Sequence, residues 1–427
     1  MKIAPISVFG LFLLLLAACI GNVTPDSETP NPTPVPSKTA INTPEVTEAP
    51  TQVRPEEILS TTPLPEIVEI EQIDLRAVPD IDTAQHSVPL EEIIFDTFRA
   101  VNRAVPLTEV QPALIRSLRD AIPPLYEPPF VSIAATDKWL SDSDIVLGYA
   151  DGDEAFAYPI KILNYHEMVS HQVNGRDILA SYCPLCRSGI VFDRLLPGTG
   201  APLLLGNTSA LYESDMVMFD HQTGSYWNQV SGDAIVGPLT GQRMSILPAQ
   251  MTTWGSWKSL YPDTLALSED TGFDRNYRQD PFSGYGDRLN AGGQFFFPVS
   301  ENGRDPRLDP AEIVLGLEVD GVHRAYPLEL LGDNVVQDTL GNTEVVIFSQ
   351  AAGPSGTAYS PQIDGRSLTF TLVNGRIQDQ ETGSIWNLAG RAIDGELAGA
   401  QLEPLPARAT FWFSIVANFP DIEVYQP

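Results

Sequence analysis

The sequence predicts a β-dominated α+β fold made of two tandem related lobes, the second a degenerate copy of the first. Three observations carry that expectation. Segments recur in a fixed order: Ile145-Val146-Leu147-Gly148 returns as Ile313-Val314-Leu315-Gly316, and Ala157-Tyr158-Pro159 returns as Ala325-Tyr326-Pro327. Asp220 to Asn228, which contains Thr223-Gly224-Ser225-Tyr226-Trp227, is answered by Asp379 to Asn387, which contains Thr382-Gly383-Ser384-Ile385-Trp386. Ordered self-similarity of this kind is the mark of an internal duplication. Short β-branched and aromatic runs between Gly, Asn and Asp turns supply the strands, and few stretches have helical spacing.

Residues common to both copies are expected to build the scaffold, and chemistry confined to one copy marks function. Tyr182-Cys183-Pro184-Leu185-Cys186 and His166-Glu167 occur only in the first, whereas the second places Ser349 and Ala352 opposite the cysteines.

In chain order, Lys2, the apolar run Leu11 to Leu16, and Leu16-Ala17-Ala18-Cys19 resemble a bacterial lipoprotein signal over residues 1–18. The run is too short to span a bilayer. Cys19 would carry acyl chains and hold the protein to a cell membrane or outer membrane on its extracytoplasmic face. Residues 19–65 are rich in Pro, Thr, Ser and Glu, and are expected to form a disordered tether, because they can bury too little apolar surface to offset ordering entropy. Residues 66–135 form a lead-in, in which Leu114, Ile115 and Leu118 predict a helix within Leu107 to Ile122, stopped by Pro123-Pro124.

The first lobe spans 136–267. Strands are expected at Ile145 to Tyr149, Ala155 to Tyr158, Ile178 to Tyr182, Ile190 to Phe192, Met216 to Phe219 and Tyr226 to Val230. Pro159 can open a short helix through His166, since proline at the first helical position loses no hydrogen bond. Asn174-Gly175 marks a turn, and Thr253 to Leu260 a second helix. A connector over 268–304 leads to the second lobe, 305–427, which repeats this order with a shorter middle.

A formal charge of −30, from 55 Asp plus Glu against 25 Lys plus Arg, argues against nucleic-acid binding, which needs clustered cations. Three cysteines, one of them Cys19, leave a single pair and no disulfide framework.

Several motifs come together in one order: Val88-Pro89, Trp139-Leu140, Ala157-Tyr158-Pro159, Asn164-Tyr165-His166-Glu167, Tyr182-Cys183-Pro184-Leu185-Cys186, Phe192-Asp193-Arg194, Asp220, Thr223-Gly224-Ser225, Trp227, Asp270-Thr271-Gly272 and Asp280-Pro281. With them the chain closely resembles the bacterial and archaeal domain-of-unknown-function family numbered 3179. The resemblance implies an exported or lipid-anchored protein and supplies no reaction. The family pattern has Trp at the position of Tyr165 and Asn-Asp at Ser170-His171, which counts against His171 as a shared ligand.

Cys183 and Cys186 can grip one metal ion from a single tight turn. Further ligands are expected from His166 first, then Glu167, with His171, His221, Met216 and Met218 as others. Two thiolates with an imidazole and a thioether would suit copper as well as zinc. The same pair could be a dithiol–disulfide redox couple, a structural short-loop disulfide or two inert buried thiols. The Thr-Gly-Ser-x-Trp-Asn motif is expected to be scaffold, because both copies hold it. His86, His171 and His323 are expected at the surface or in turns. The alternative function is a surface module with no catalytic activity, binding a glycan or a partner protein. For it, Trp254 and Trp257 are possible contacts, although core packing is their other expected fate.

Overall fold

The computed structural model describes residues 64–427 apart from 66, 76, 100 and 102. The lipidation signal, Cys19 and nearly all of the expected tether lie outside the described residues. Strand outweighs helix 38% to 15%, so the class is β-dominated α+β. Among the described residues no helix is long and apolar enough to cross a membrane.

The backbone follows the sequence signals closely. Ile145–Asp151 and Glu154–Pro159 pair antiparallel across the Asp151-Gly152-Asp153 turn. Pro159 then caps the helix Ile160–His166. Asn174 and Gly175 both have positive φ (50° and 75°), as a two-residue hairpin turn requires. Their hairpin pairs Met168–Val173 with Arg176–Cys183. Thr253 caps the helix Trp254–Leu260 by accepting from the Ser256 N–H.

A nine-stranded sheet ties the two halves together. Met168–Val173, Arg176–Cys183 and Ser188–Asp193 from the first half continue into Ala407–Phe411, Ile313–Val319 and Val322–Pro327 from the second. The seam is the Ala409–Gly189 pairing. Glycine at 189 leaves room for Met251, whose sulfur would lie 2.5 Å from a Cβ there and would have to shift. The strand order Ala249–Thr253, Ile145–Asp151, Glu154–Pro159, Leu265–Leu267 recurs as Ala407–Phe411, Ile313–Val319, Val322–Pro327, Glu423–Val424.

Some expectations need correction. The helix in the lead-in is only Pro112–Leu118, preceded by a 3₁₀ turn at Leu107–Glu109. It stops well before the prolines because Asp120 takes positive φ and gives its N–H to the Asn207 carbonyl, 2.7 Å away. A tertiary bond, not proline, ends it. Trp254 and Trp257 are 0% and 2% exposed and donate to Asp137 and Thr264, so neither offers a surface platform. His171 is buried against Phe130 and Phe156 and meets the Tyr158 hydroxyl at 2.6 Å, instead of lying at the surface. The lead-in adds strands Ile94–Asp96 and Ala104–Pro106 to the edge of the sheet containing Leu205–Tyr212. The connector packs into the core through Tyr277, Tyr285 and Phe297.

Candidate metal centre

The site begins with a hairpin. Arg176–Cys183 and Ser188–Asp193 pair down to the Cys183–Ser188 rung, leaving Pro184, Leu185, Cys186 and Arg187 as the loop. Proline has no N–H to pair, and Arg187 has φ of 52°, so the loop closes tightly enough to turn both sulfurs the same way. The second half clamps this loop. The Cys186 carbonyl accepts from the Phe411 N–H at 2.8 Å and from the Thr410 hydroxyl at 2.9 Å.

A third group arrives from another hairpin. Asp215 opens the strand Asp215–Asp220, and its ligand oxygen lies with the two sulfurs so that all three are within 4.8 Å of one another. Cys183 is 2% exposed, Cys186 and Asp215 not at all. Both cysteines are free thiols. The Cys186 thiol donates to Asp215 Oδ1 at 2.7 Å, while Asp215 Oδ2 accepts from the Val230 N–H at 2.8 Å. A buried polar layer holds this arrangement. Ser188 Oγ sits 3.2 Å from the Cys186 sulfur and donates to Gln229, whose amide donates to Ser181 Oγ and to the Ser188 carbonyl.

Glu167 stands beside the cluster. It ends the helix Ile160–His166 in the left-handed conformation, φ 58°, and accepts from Asn207 Nδ2 at 2.6 Å. Burial pushes its carboxyl up to about 8, with Asp215 adding to the rise. Burial also lifts Asp215 to about 6, raises Cys183, and raises Cys186 far above the ordinary thiol range. These shifts share one cause: anionic groups gathered in a dry interior, where a cation would reverse the penalty.

His166, the first ligand expected after the cysteines, does not join the cluster. One ring nitrogen faces the Pro123 carbonyl at 2.8 Å and the other the Tyr277 hydroxyl at 2.6 Å, and burial depresses the ring to about 4. Both nitrogens are thus engaged in bracing the helix against the connector. His221 is likewise held elsewhere, against Tyr126 at 3.2 Å. The Met216 sulfur meets Asn207 Nδ2 at 3.5 Å. Asp215 was not among the sequence candidates. A signal existed: at the shift of 159 that aligns Asp220 with Asp379, Asp215 falls on Asn374, so this carboxylate too has no acidic counterpart in the second half. The cysteine counterparts also move by one residue. Gln350 pairs with Ser355 as Cys183 pairs with Ser188, which places Gln350 and Gly353, not Ser349 and Ala352, opposite the thiols.

Residues 119–422 match the family model described as "Protein of unknown function (DUF3179)". The chain belongs to the DUF3179 family. No curated protein matches this DUF3179 chain, and no solved structure does.

Proposed function

We propose that this DUF3179 protein binds one transition-metal ion through Cys183, Cys186 and Asp215. The observation that carries the reading is the meeting of two thiols and a carboxylate within 4.8 Å in the buried interior. Two sulfurs and one oxygen suit zinc, which accepts both donor types, better than copper(I), for which a carboxylate oxygen is a poor ligand. Three protein ligands leave one tetrahedral position open, the pattern of zinc sites that bind a water or substrate. The dithiol–disulfide alternative is weaker. Burial and the neighbouring Asp215 carboxylate oppose thiolate formation at Cys186 in the absence of a cation. The lipoprotein signal supports an extracytoplasmic protein anchored by acyl chains on Cys19.

The test is elemental analysis of the purified protein beside Cys183→Ser, Cys186→Ser, Asp215→Asn and His166→Ala. About one equivalent of zinc is expected in the parent and in His166→Ala, falling at least about tenfold in affinity in the other three. Circular dichroism would confirm that each variant is folded. A folded, reduced parent that takes up no zinc or copper would sink the proposal.

A further inference from the structure

Arg187 combines two unfavourable features in one residue. Its φ of 52° is a conformation that a long side chain rarely adopts. Its Nη1 is also buried without a hydrogen-bond partner, and no carboxylate forms an ion pair with it among the described residues. The residue as a whole is half-buried, and a guanidinium nitrogen withdrawn from water without a partner is penalised. Such a group is expected where a ligand supplies the missing anion.

The surroundings indicate what that ligand is. Arg187 lines a cleft of about 320 Å³ whose other walls include Tyr285, Phe411 and Ile313, together with the carboxylates of Asp287, Glu312 and Glu329. Glu312 is raised above its ordinary range by burial and by Glu329. A second cleft of about 220 Å³ shares Arg187, Phe282, Tyr285 and Phe411 with the first, and adds Tyr182 and Met251. One lining therefore offers a planar cationic fork, unpaired carboxylates and apolar surface. A polyanion such as phosphate would meet three acidic side chains. A carboxylate that also carries an ammonium group would satisfy both signs, with the guanidinium gripping the carboxylate through paired N–H donors.

We propose that this cleft binds a small zwitterion of the amino-acid type, its carboxylate on Arg187 and its ammonium toward Glu312 and its acidic neighbours. The site does not depend on the metal reading, since none of Cys183, Cys186 and Asp215 lines either cleft.

The experiment is titration calorimetry on the full chain with L-leucine, acetate, butylammonium and inorganic phosphate as probes. Leucine is expected to bind more tightly than the other three, with a dissociation constant of about 1 mM or below. Arg187→Gln should weaken leucine at least about tenfold, and Glu312→Gln should weaken leucine while leaving acetate unchanged. The ligand-free Arg187→Gln protein should melt at or above the parent temperature, because the buried, unpartnered Nη1 is gone. The proposal fails if leucine does not bind at about 10 mM, or if phosphate binds more tightly than leucine. It also fails if leucine affinity survives Arg187→Gln, or if that variant melts several degrees lower, which would make Arg187 a structural support of the loop. Asp215→Asn should leave leucine binding intact, which separates failure here from failure of the metal site.

Discussion

Glu167 turns a helix C-terminus into part of the buried acidic cluster, and its ionisation couples that cluster to folding. Its carboxyl rises from 4.5 to about 8 on burial, so between these values the folded protein holds a proton that the unfolded chain releases. Stability is therefore greatest below the unfolded value and is lost as pH rises through the folded one. Asp215, lifted from 3.8 to about 6, acts in the same direction over a lower range. The melting temperature of metal-free protein, followed in chelator, should carry a component that falls as pH is raised from 4.5 to 8, opposed below pH 6.5 by His166, His171 and His221, each depressed to about 4. Glu167→Gln should flatten that slope, and a slope identical to the parent's would contradict the assignment. His166 behaves differently. His166→Ala removes partners from Pro123 and Tyr277. It should cost about 1–3 kcal/mol in denaturant unfolding without releasing metal. The cysteines could be singled out because they are chemically rare and have no cysteine counterpart in the second half. Asp215 could not, because the chain has 55 acidic residues and only the hairpin register brings this one to the sulfurs.

At the level of elements, the repeated Thr-Gly-Ser-x-Trp motif is a turn lock in each half. Asp220 accepts from the Thr223 N–H and hydroxyl at 2.5 and 2.9 Å and from Trp227 Nε1 at 3.0 Å. Asp379 accepts from the Thr382 N–H and hydroxyl at 2.6 and 2.8 Å and from Trp386 Nε1 at 2.9 Å. Each tryptophan is thereby pinned in a core with its indole N–H satisfied. Asp379→Ala leaves that N–H unpaired in a buried site and should destabilise by about 1–3 kcal/mol in a urea titration, with zinc content unchanged. This element was readable because turn chemistry is local: side chains three residues apart bond to their own backbone. The lead-in helix was misjudged for the opposite reason. Its end is set by the Asn207 carbonyl, far along the chain, and no local spacing encodes that bond.

For the molecule as a whole, the nine-stranded sheet makes the second half a structural partner of the first. The strand Ala407–Phe411 crosses the seam at Gly189, and its end holds the Cys186 carbonyl. Repeat order alone suggested two tandem lobes. The shared sheet depends on non-local pairing, which periodicity does not report. Calorimetric unfolding should therefore give one cooperative transition, with equal calorimetric and van't Hoff enthalpies. Two resolved transitions would mean that the halves fold independently. Thr410→Val removes one of the two bonds on the Cys186 carbonyl from the far half. It should weaken metal affinity by about tenfold or more if the clamp sets the geometry of the thiols.

The central claim concerns which atoms surround the metal, and X-ray absorption at the zinc edge of the loaded protein tests it most directly. The account predicts two sulfur scatterers at about 2.3 Å and oxygen neighbours at about 2.0–2.2 Å, without the multiple scattering of an imidazole ring. A spectrum with no sulfur shell, or with a clear histidine signature, would contradict it.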